Sequence, residues 1–326
     1  MVYIKALNKN ILPLFIFPEQ NELFSSWFCR LAVSHSIKPQ SFLLNYFDRD
    51  LPIFNRDIDL FNSEKLVDFF TGHSPLLRWQ VEELFLNSYN SYAFLIESQP
   101  FSHINNILPL GIFHRDRKRF GMQYCPSCLN KKAFYKKEWR LVTSILCVEC
   151  NEYLKDKCNI CNKPIVYHKI YTTNNLSKIE NFYPFSTCYF CKSDLAKLNP
   201  NKPKENEILY QKYIDKTIEL GYNECTQYSF FYIKTLLFLS KRLMSNRKKN
   251  RFRDCLIDMF GVEIEINLDD IKYWSTEERI NVLPLVFDFL QDVEKSKKGF
   301  HNYKISKSYI DADKALPFWL YRAFDL

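Results

Sequence analysis

The chain has 326 residues, is 47% hydrophobic and 17% aromatic, and carries a formal net charge of +8. That much apolar matter excludes disorder as the main state and is enough for two or three modest domains. No two of its six glycines are spaced for a G-x-G-x-x-G or a G-x-x-x-x-G-K-[ST] loop, which excludes nucleotide binding by either device. There is no apolar run of membrane-spanning length and no basic-then-apolar leader. The expectation is a soluble, unprocessed, cytoplasmic protein without a membrane partner.

The chain opens on an extended apolar stretch, Ile11 to Pro18. Residues 21–32 then place apolar side chains at 23, 24, 27, 28, 31 and 32, the stripe of an amphipathic helix. Asn21 or a neighbour is its expected N-cap. Pro39 starts a second helix through Phe42, Leu43, Tyr46 and Phe47. Ser63 caps a third, ending at Gly72. Ser74 and Pro75 are the expected N-cap and first residue of a fourth, through Trp79, Val81, Leu84 and Phe85. Short helices joined by short turns resemble a helix-turn-helix arrangement, although any small bundle shares that pattern. Residues 168–182 are polar and predict an exposed insertion, and residues 199–206 a linker. From 207 onward the pattern is helical again. Phe230 to Leu239 reads as a broadly buried helix, and Ser275 with Glu278 as a capping box opening another through Leu290. The expected fold is mainly α with small β zinc ribbons. It comprises a helical domain at 1–118, a tandem zinc-ribbon module at 119–198 and a helical domain at 207–326.

Eleven cysteines, an odd number without a secretory signal, argue against a disulfide framework. Eight form four C-x-x-C pairs: Cys125/Cys128, Cys147/Cys150, Cys158/Cys161 and Cys188/Cys191. Two residues between cysteines let a tight turn aim both sulfurs at one ion, and two such knuckles close a tetrahedral zinc site. Sequential pairing is simplest, with one ribbon from Cys125 to Cys150 and a second from Cys158 to Cys191; crossed pairing remains open on spacing alone. Two zinc ions are expected, each closed by four thiolates and therefore structural rather than catalytic. Cys29, Cys225 and Cys255 read as small buried hydrophobes. Zinc also corrects the charge: eight thiolates and two divalent ions bring +8 down to about +4. That balance permits contact with nucleic acid without demanding it.

Two basic stretches are candidates for such contact. Lys131, Lys132, Lys136, Lys137 and Arg140 are interleaved with Tyr135 and Trp139, a pattern suited to backbone contact with stacking. The competing reading makes Trp139 ribbon core and the lysines a solvated face. Arg247, Lys248, Lys249, Arg251 and Arg253 form the second stretch, where cations near a helix C-terminus are the competing reading. Asp269, Asp270, Glu277 and Glu278 read as helix-start residues rather than a metal-binding acidic set. The histidines have no Ser, Cys or Asp at suggestive spacing. No enzyme activity and no small-molecule substrate are expected.

The run Asn-Glu-Leu-Phe-Ser-Ser-Trp-Phe-Cys-Arg-Leu-Ala at 21–32 resembles the D-E-L-L-S-S-W-L-x-R-L-A opening of the TniQ/TnsD family. Tyr124-Cys125-Pro126-Ser127-Cys128-Leu129, Trp139-Arg140-Leu141, Cys147 and Cys158/Cys161 are similar to that family's central C-P-x-C-L, W-r-l and C-x-x-H signature. Cys150 stands where the family often has His, a change that keeps a tetrahedral zinc site. The resemblance implies a transposon target-selection protein. Such proteins connect a target-marking complex to an AAA+ regulator that recruits the transposase. In CRISPR-associated transposons the marker is Cascade with its guide RNA, on which the family member docks as a homodimer. Members that read a fixed chromosomal site directly carry a long C-terminal extension, and this chain stops soon after Pro317-Phe318-Trp319. The expectation is an adaptor whose DNA contacts go to the backbone, with a direct DNA reader as the alternative.

Overall fold

The computed structural model describes residues 11–47, 55–60, 63–95, 106–114, 116–169, 171–172, 181–182, 184–197, 201–246, 249–311 and 316–325. Five helices precede the second half of the chain: α1 (Phe24–Ser34), α2 (Pro39–Tyr46), α3 (Glu64–His73), α4 (Arg78–Glu82) and α5 (Pro126–Lys131). The strands are two-residue antiparallel pairs: β1 (Ile112–Phe113) with β2 (Asp116–Arg117), β3 (Leu146–Cys147) with β4 (Glu152–Tyr153), and β5 (Tyr171–Thr172) with β6 (Asn181–Phe182). Then follow α6 (Glu205–Leu220), α7 (Ser229–Leu243), α8 (Arg251–Phe260), α9 (Thr276–Gln291), α10 (Val293–Asn302), α11 (Lys307–Ile310) and α12 (Phe318–Phe324). The protein is thus mainly helical, with few short strands. None of its described helices is long and apolar enough to cross a membrane.

Backbone contacts divide the described chain into two units, each discontinuous in sequence, where the sequence suggested three consecutive segments. Unit 1 draws on 1–88, 110–140 and 155–199; unit 2 draws on 89–109, 141–154 and 200–326.

Unit 1 is built on the aromatic stripe of α1. Phe24, Trp27, Phe28 and Leu31 are fully buried. Phe24 stacks on Phe85 with ring centroids 4.3 Å apart, and Trp27 meets Phe70 edge-on at 4.9 Å. The helix starts two residues later than the Asn21 cap implied. Its N-cap is Leu23, and Asn21 takes a left-handed φ of +57°. Leu23 has no side-chain acceptor for the free N–H groups of the first turn. Asp59 supplies one from a distant loop, accepting from the Ser25 N–H at 2.8 Å. The fourth helix also starts late, at Arg78. Ser74 donates its hydroxyl back to the Phe70 carbonyl at 2.5 Å and accepts the Leu76 N–H at 3.2 Å, but the N-cap of the helix is Leu77. Trp79 therefore falls on the surface, 62% exposed.

In unit 2, α9 packs against α6, α7 and α10. Its start is the capping box read from the sequence: Ser275 Oγ accepts from the Glu278 N–H, and Glu278 reaches back to the Ser275 N–H at 2.6 Å. The backbone of residues 142–145 is held by side chains from two helices. Arg279, 1% exposed, donates to the Val142 and Ser144 carbonyls at 2.7 and 2.9 Å. Tyr210 Oη donates to the Thr143 carbonyl, and Gln211 Oε1 accepts from the Ile145 N–H. The linker expected over 199–206 is cut short, because α6 already begins at Glu205.

Candidate metal centres and the basic residues

Each C-x-x-C pair sits in a local turn that its flanking residues close. Cys125 is the N-cap of α5, whose first residue is Pro126, so the helix start carries Cys128 back toward Cys125. Cys147 ends β3, and the hairpin to β4 returns past Cys150; Cys147 pairs in register with Glu152. Cys158/Cys161 and Cys188/Cys191 are framed by isolated bridges, Lys157 with Pro164 and Thr187 with Asp194. In both turns the fourth residue after the first cysteine returns its N–H to that cysteine's carbonyl, Asn162 to Cys158 at 2.8 Å and Lys192 to Cys188 at 3.0 Å. Asn162 and Lys192 adopt positive φ to do so.

The eight sulfurs assemble into two groups with the sequential pairing: Cys125, Cys128, Cys147 and Cys150, then Cys158, Cys161, Cys188 and Cys191. Within each group the sulfurs lie within 4.8 Å of one another. Four thiolates 2.3 Å from a tetrahedral zinc stand ~3.8 Å apart. The second group holds that spacing already, with Cys158 to Cys191 at 3.6 Å and Cys161 to Cys188 at 3.7 Å. These separations are far beyond a disulfide bond, and none of the eight cysteines is in one. The donor set therefore fits zinc at both places.

The environments differ. In the first group Cys125, Cys128 and Cys147 are buried, whereas in the second Cys191 is exposed. The Ser193 hydroxyl, 3.1 Å from Cys191 Sγ, brings that thiol down to about 6, while burial pushes Cys188 up to about 12. Of the three cysteines outside the pairs, Cys29 and Cys255 are buried and Cys225 is half-buried.

The basic residues separate by burial. Lys131 and Lys132 are exposed at the end of α5, and Lys132 pairs with Glu19 at 2.7 Å. The other three of that stretch point inward, against the expected phosphate contact. Lys136 is buried 3.8 Å from Glu138. Lys137 Nζ donates to the Glu83 carboxylate, the Glu83 carbonyl and Ser88 Oγ. Arg140 is 0% exposed and forks onto Asp57 at 2.5 Å and Asp59 at 3.3 Å. A guanidinium enclosed by two carboxylates cannot reach a phosphate. In the second stretch, Arg247 and Lys248 lie outside the described residues, and Lys249 is exposed. Arg251 lies over the Tyr309 ring and donates to the Lys304 carbonyl. Arg253 donates to the Leu243 and Ser245 carbonyls at 2.8 and 2.7 Å, closing the C-terminus of α7 as the competing reading had it.

Sequence reasoning missed the polar partners of these cations. Asp59 takes the Ser25 hydroxyl on one oxygen, and that hydroxyl also meets Tyr167 Oη. Arg117 lies over the Tyr167 ring and donates to the Ile165 carbonyl at 2.5 Å. Burial pushes the Asp59 carboxyl up to about 6, with Asp57 adding to the rise and Arg140 opposing it. Glu22 is raised to about 7 by burial, although Arg30 stands 2.5 Å away. Glu22 also takes the Ser26 hydroxyl at 2.7 Å, and Ser26 in turn accepts the Tyr135 N–H at 3.0 Å. No periodicity marks Asp57 or Asp59, so only their pairing in the fold reveals them.

By architecture this is a helical protein organised around two clusters of four thiols. Residues 13–151 match the TniQ family model, a span running from the first buried helix through Cys150. Over those residues the chain is similar to the TniQ domain, which belongs to transposition-associated target selection. No curated protein matches the chain.

Proposed function

We propose that this protein is a target-selection adaptor of transposition. It links a target-marking complex, of which guide-RNA-loaded Cascade is one kind, to an AAA+ regulator and through it to the transposase. The TniQ match over 13–151 carries this reading. Each cysteine group holds one structural zinc, Cys125, Cys128, Cys147 and Cys150 around the first and Cys158, Cys161, Cys188 and Cys191 around the second. Closed four-thiolate sites leave no position for substrate or water, so the ions contribute folding free energy rather than chemistry.

The burial of Lys136, Lys137 and Arg140 and the capping role of Arg253 favour the adaptor over a direct DNA reader. Lys131, Lys132, Lys249 and Arg251 supply backbone contacts that position the protein without reading sequence. The test mixes the zinc-loaded protein with the AAA+ regulator of its own transposon and ATP, and in parallel with DNA across a salt series. The adaptor forms a complex with the regulator and binds DNA weakly, without sequence preference and with strong salt sensitivity. Nanomolar, sequence-selective DNA binding by the protein alone at physiological salt refutes it.

A further inference from the structure

Between α8 and α9, unit 2 carries an extended segment whose backbone its own fold does not use. Residues 262–268, Val-Glu-Ile-Glu-Ile-Asn-Leu, run without helix, turn or bend. At a strand rise of ~3.3 Å per residue they span roughly 23 Å. Apolar and polar residues alternate along them, the period-2 pattern of a strand. Both ends are fixed. Gly261, at a φ of +64°, closes α8 by donating its N–H to the Ile257 carbonyl at 2.8 Å. At the other end Asn267 Nδ2 donates to Glu278 at 2.6 Å, and the buried Trp274 donates its indole N–H to the Asp269 carbonyl at 3.0 Å.

Each residue of this segment has one backbone donor and one acceptor. Among the described residues, no N–H or C=O of 262–268 is hydrogen-bonded within the chain. Such a free row is a template for pairing with another strand. The side chains are offered as well. Glu263 and Glu265 are exposed, Ile266 and Leu268 are 51% and 61% exposed, and Val262 and Ile264 are half-buried.

Charge selects the occupant. From Asp254 to Ile271 the chain holds six acidic residues and no Lys, Arg or His. The cations bordering that stretch are engaged elsewhere, Arg253 on the Leu243 and Ser245 carbonyls and Lys272 over the Tyr273 ring at 5.3 Å. Lys241 approaches Asp270 at 3.9 Å, and Lys295 lies over the Phe260 ring at 4.7 Å. Among the described residues neither Glu263 nor Glu265 forms an ion pair. In an extended chain these two carboxylates share a face. Pairing with a second copy sets that face against itself or, one residue out of step, against apolar side chains, and both are unfavourable. A strand with cations at every second position fits instead. We propose that residues 262–268 pair with an extended segment of a protein partner in which Lys or Arg alternates with Val or Ile, its cations opposite Glu263 and Glu265 and its amides on the free backbone. The segment lies in unit 2 and outside residues 13–151, so the proposal does not depend on the target-selection reading.

The test measures fluorescence anisotropy with the full-length, zinc-loaded protein at physiological salt. The probes are a labelled alternating Lys-Val octapeptide, the same peptide with its backbone amides N-methylated, and an alternating Glu-Val octapeptide. The Lys-Val peptide binds the wild type. N-methylation weakens it roughly tenfold by removing the backbone ladder, and the Glu263→Lys/Glu265→Lys variant weakens it roughly tenfold by setting like charges opposite. The Glu-Val peptide does not compete. The proposal is overturned if the Lys-Val peptide fails to bind, if the N-methylated peptide binds equally well through charge alone, or if the double variant keeps wild-type affinity. It is also overturned if sedimentation equilibrium shows a homodimer that the double variant changes, which would give the segment to a second copy. Should the double variant melt lower than the wild type, Glu263→Gln and Glu265→Gln decide: unchanged peptide affinity in both overturns it.

Discussion

Arg140→Ala separates a structural role from a nucleic-acid role at one residue. Arg140 is 0% exposed, and its partners Asp57 and Asp59 have side chains 15% and 1% exposed. Removing the guanidinium leaves two carboxylates facing each other out of water. Breaking a buried pair in this way costs about 3–5 kcal/mol, because an uncompensated charge remains. The damage spreads to α1, because Asp59 also caps the Ser25 N–H at 2.8 Å. For a unit of this size the loss corresponds to a fall in melting temperature of about 6–20 °C. The deficit also depends on pH. The Asp59 carboxyl already sits at about 6 in the folded protein, above its ordinary 3.8. A raised carboxyl makes folded stability fall as pH climbs from the unfolded value through the folded one. Without Arg140 the folded value rises further, so above pH 6 the variant loses stability through Asp59 that the wild type does not. Urea unfolding followed by circular dichroism at pH 5 and pH 8 reads both effects. Arg140→Lys keeps the charge but loses the two-pronged geometry and falls between. Asp59→Asn combined with Arg140→Ala loses less than the sum of the two single variants. An Arg140→Ala protein with wild-type unfolding at both pH values and weakened DNA binding would refute the buried-pair account.

Three other outcomes follow from the same geometry. Metal analysis of protein never exposed to chelator gives two zinc equivalents per chain; Cys125→Ser lowers solubility and melting temperature more than Cys191→Ser, since Cys125 is buried and Cys191 exposed. Trp27→Ala costs roughly 3–5 kcal/mol in denaturant unfolding, because the indole is fully buried and donates to the Ile16 carbonyl at 2.9 Å; wild-type stability with lost partner binding would make it a docking residue instead. Burial raises the Glu22 carboxyl from 4.5 to about 7, so wild-type stability falls as pH rises across that interval, and Glu22→Gln flattens the slope; an unchanged slope in the variant contradicts the assignment.

The two four-cysteine groups were legible in the sequence because C-x-x-C is a local device. Its geometry is fixed by two intervening residues and a turn, and nothing distant has to cooperate. Sequential pairing, left open by the spacing, came from the fold. The helices were legible where the apolar stripe was strong, as in α1 and α9. Their starts were less so, because caps compete with long-range partners. Asp59 took the place that Asn21 was expected to fill, and Ser74 bonded backward to Phe70. The first has no sequence signal, since Ser25 and Asp59 are distant in the chain; the second is a local bond one helical turn back, in which the serine hydroxyl closes the end of α3.

The basic stretch at 131–140 shows the limit more sharply. Five cations in ten residues read as one electrostatic patch, yet their side chains divide between the surface and the interior. Tyr135 and Trp139, also on this stretch, are core residues, and the backbone that buries them turns Lys136, Lys137 and Arg140 inward as well. Inward cations are tolerable only with acceptors, and these come from Glu83, Glu138, Asp57 and Asp59. The family-like W-r-l block therefore carries its arginine for the same reason that residues 22–26 carry Glu22, Ser25 and Ser26. In both places the polar residues tie the start of α1 to the chain that covers it. A motif of buried polar residues beside aromatics can mark a structural junction as readily as a binding surface, and the accessible area of each side chain decides between them. On that criterion Lys131 and Lys132 at the end of α5 stay accessible to a partner, whereas Lys136, Lys137 and Arg140 do not.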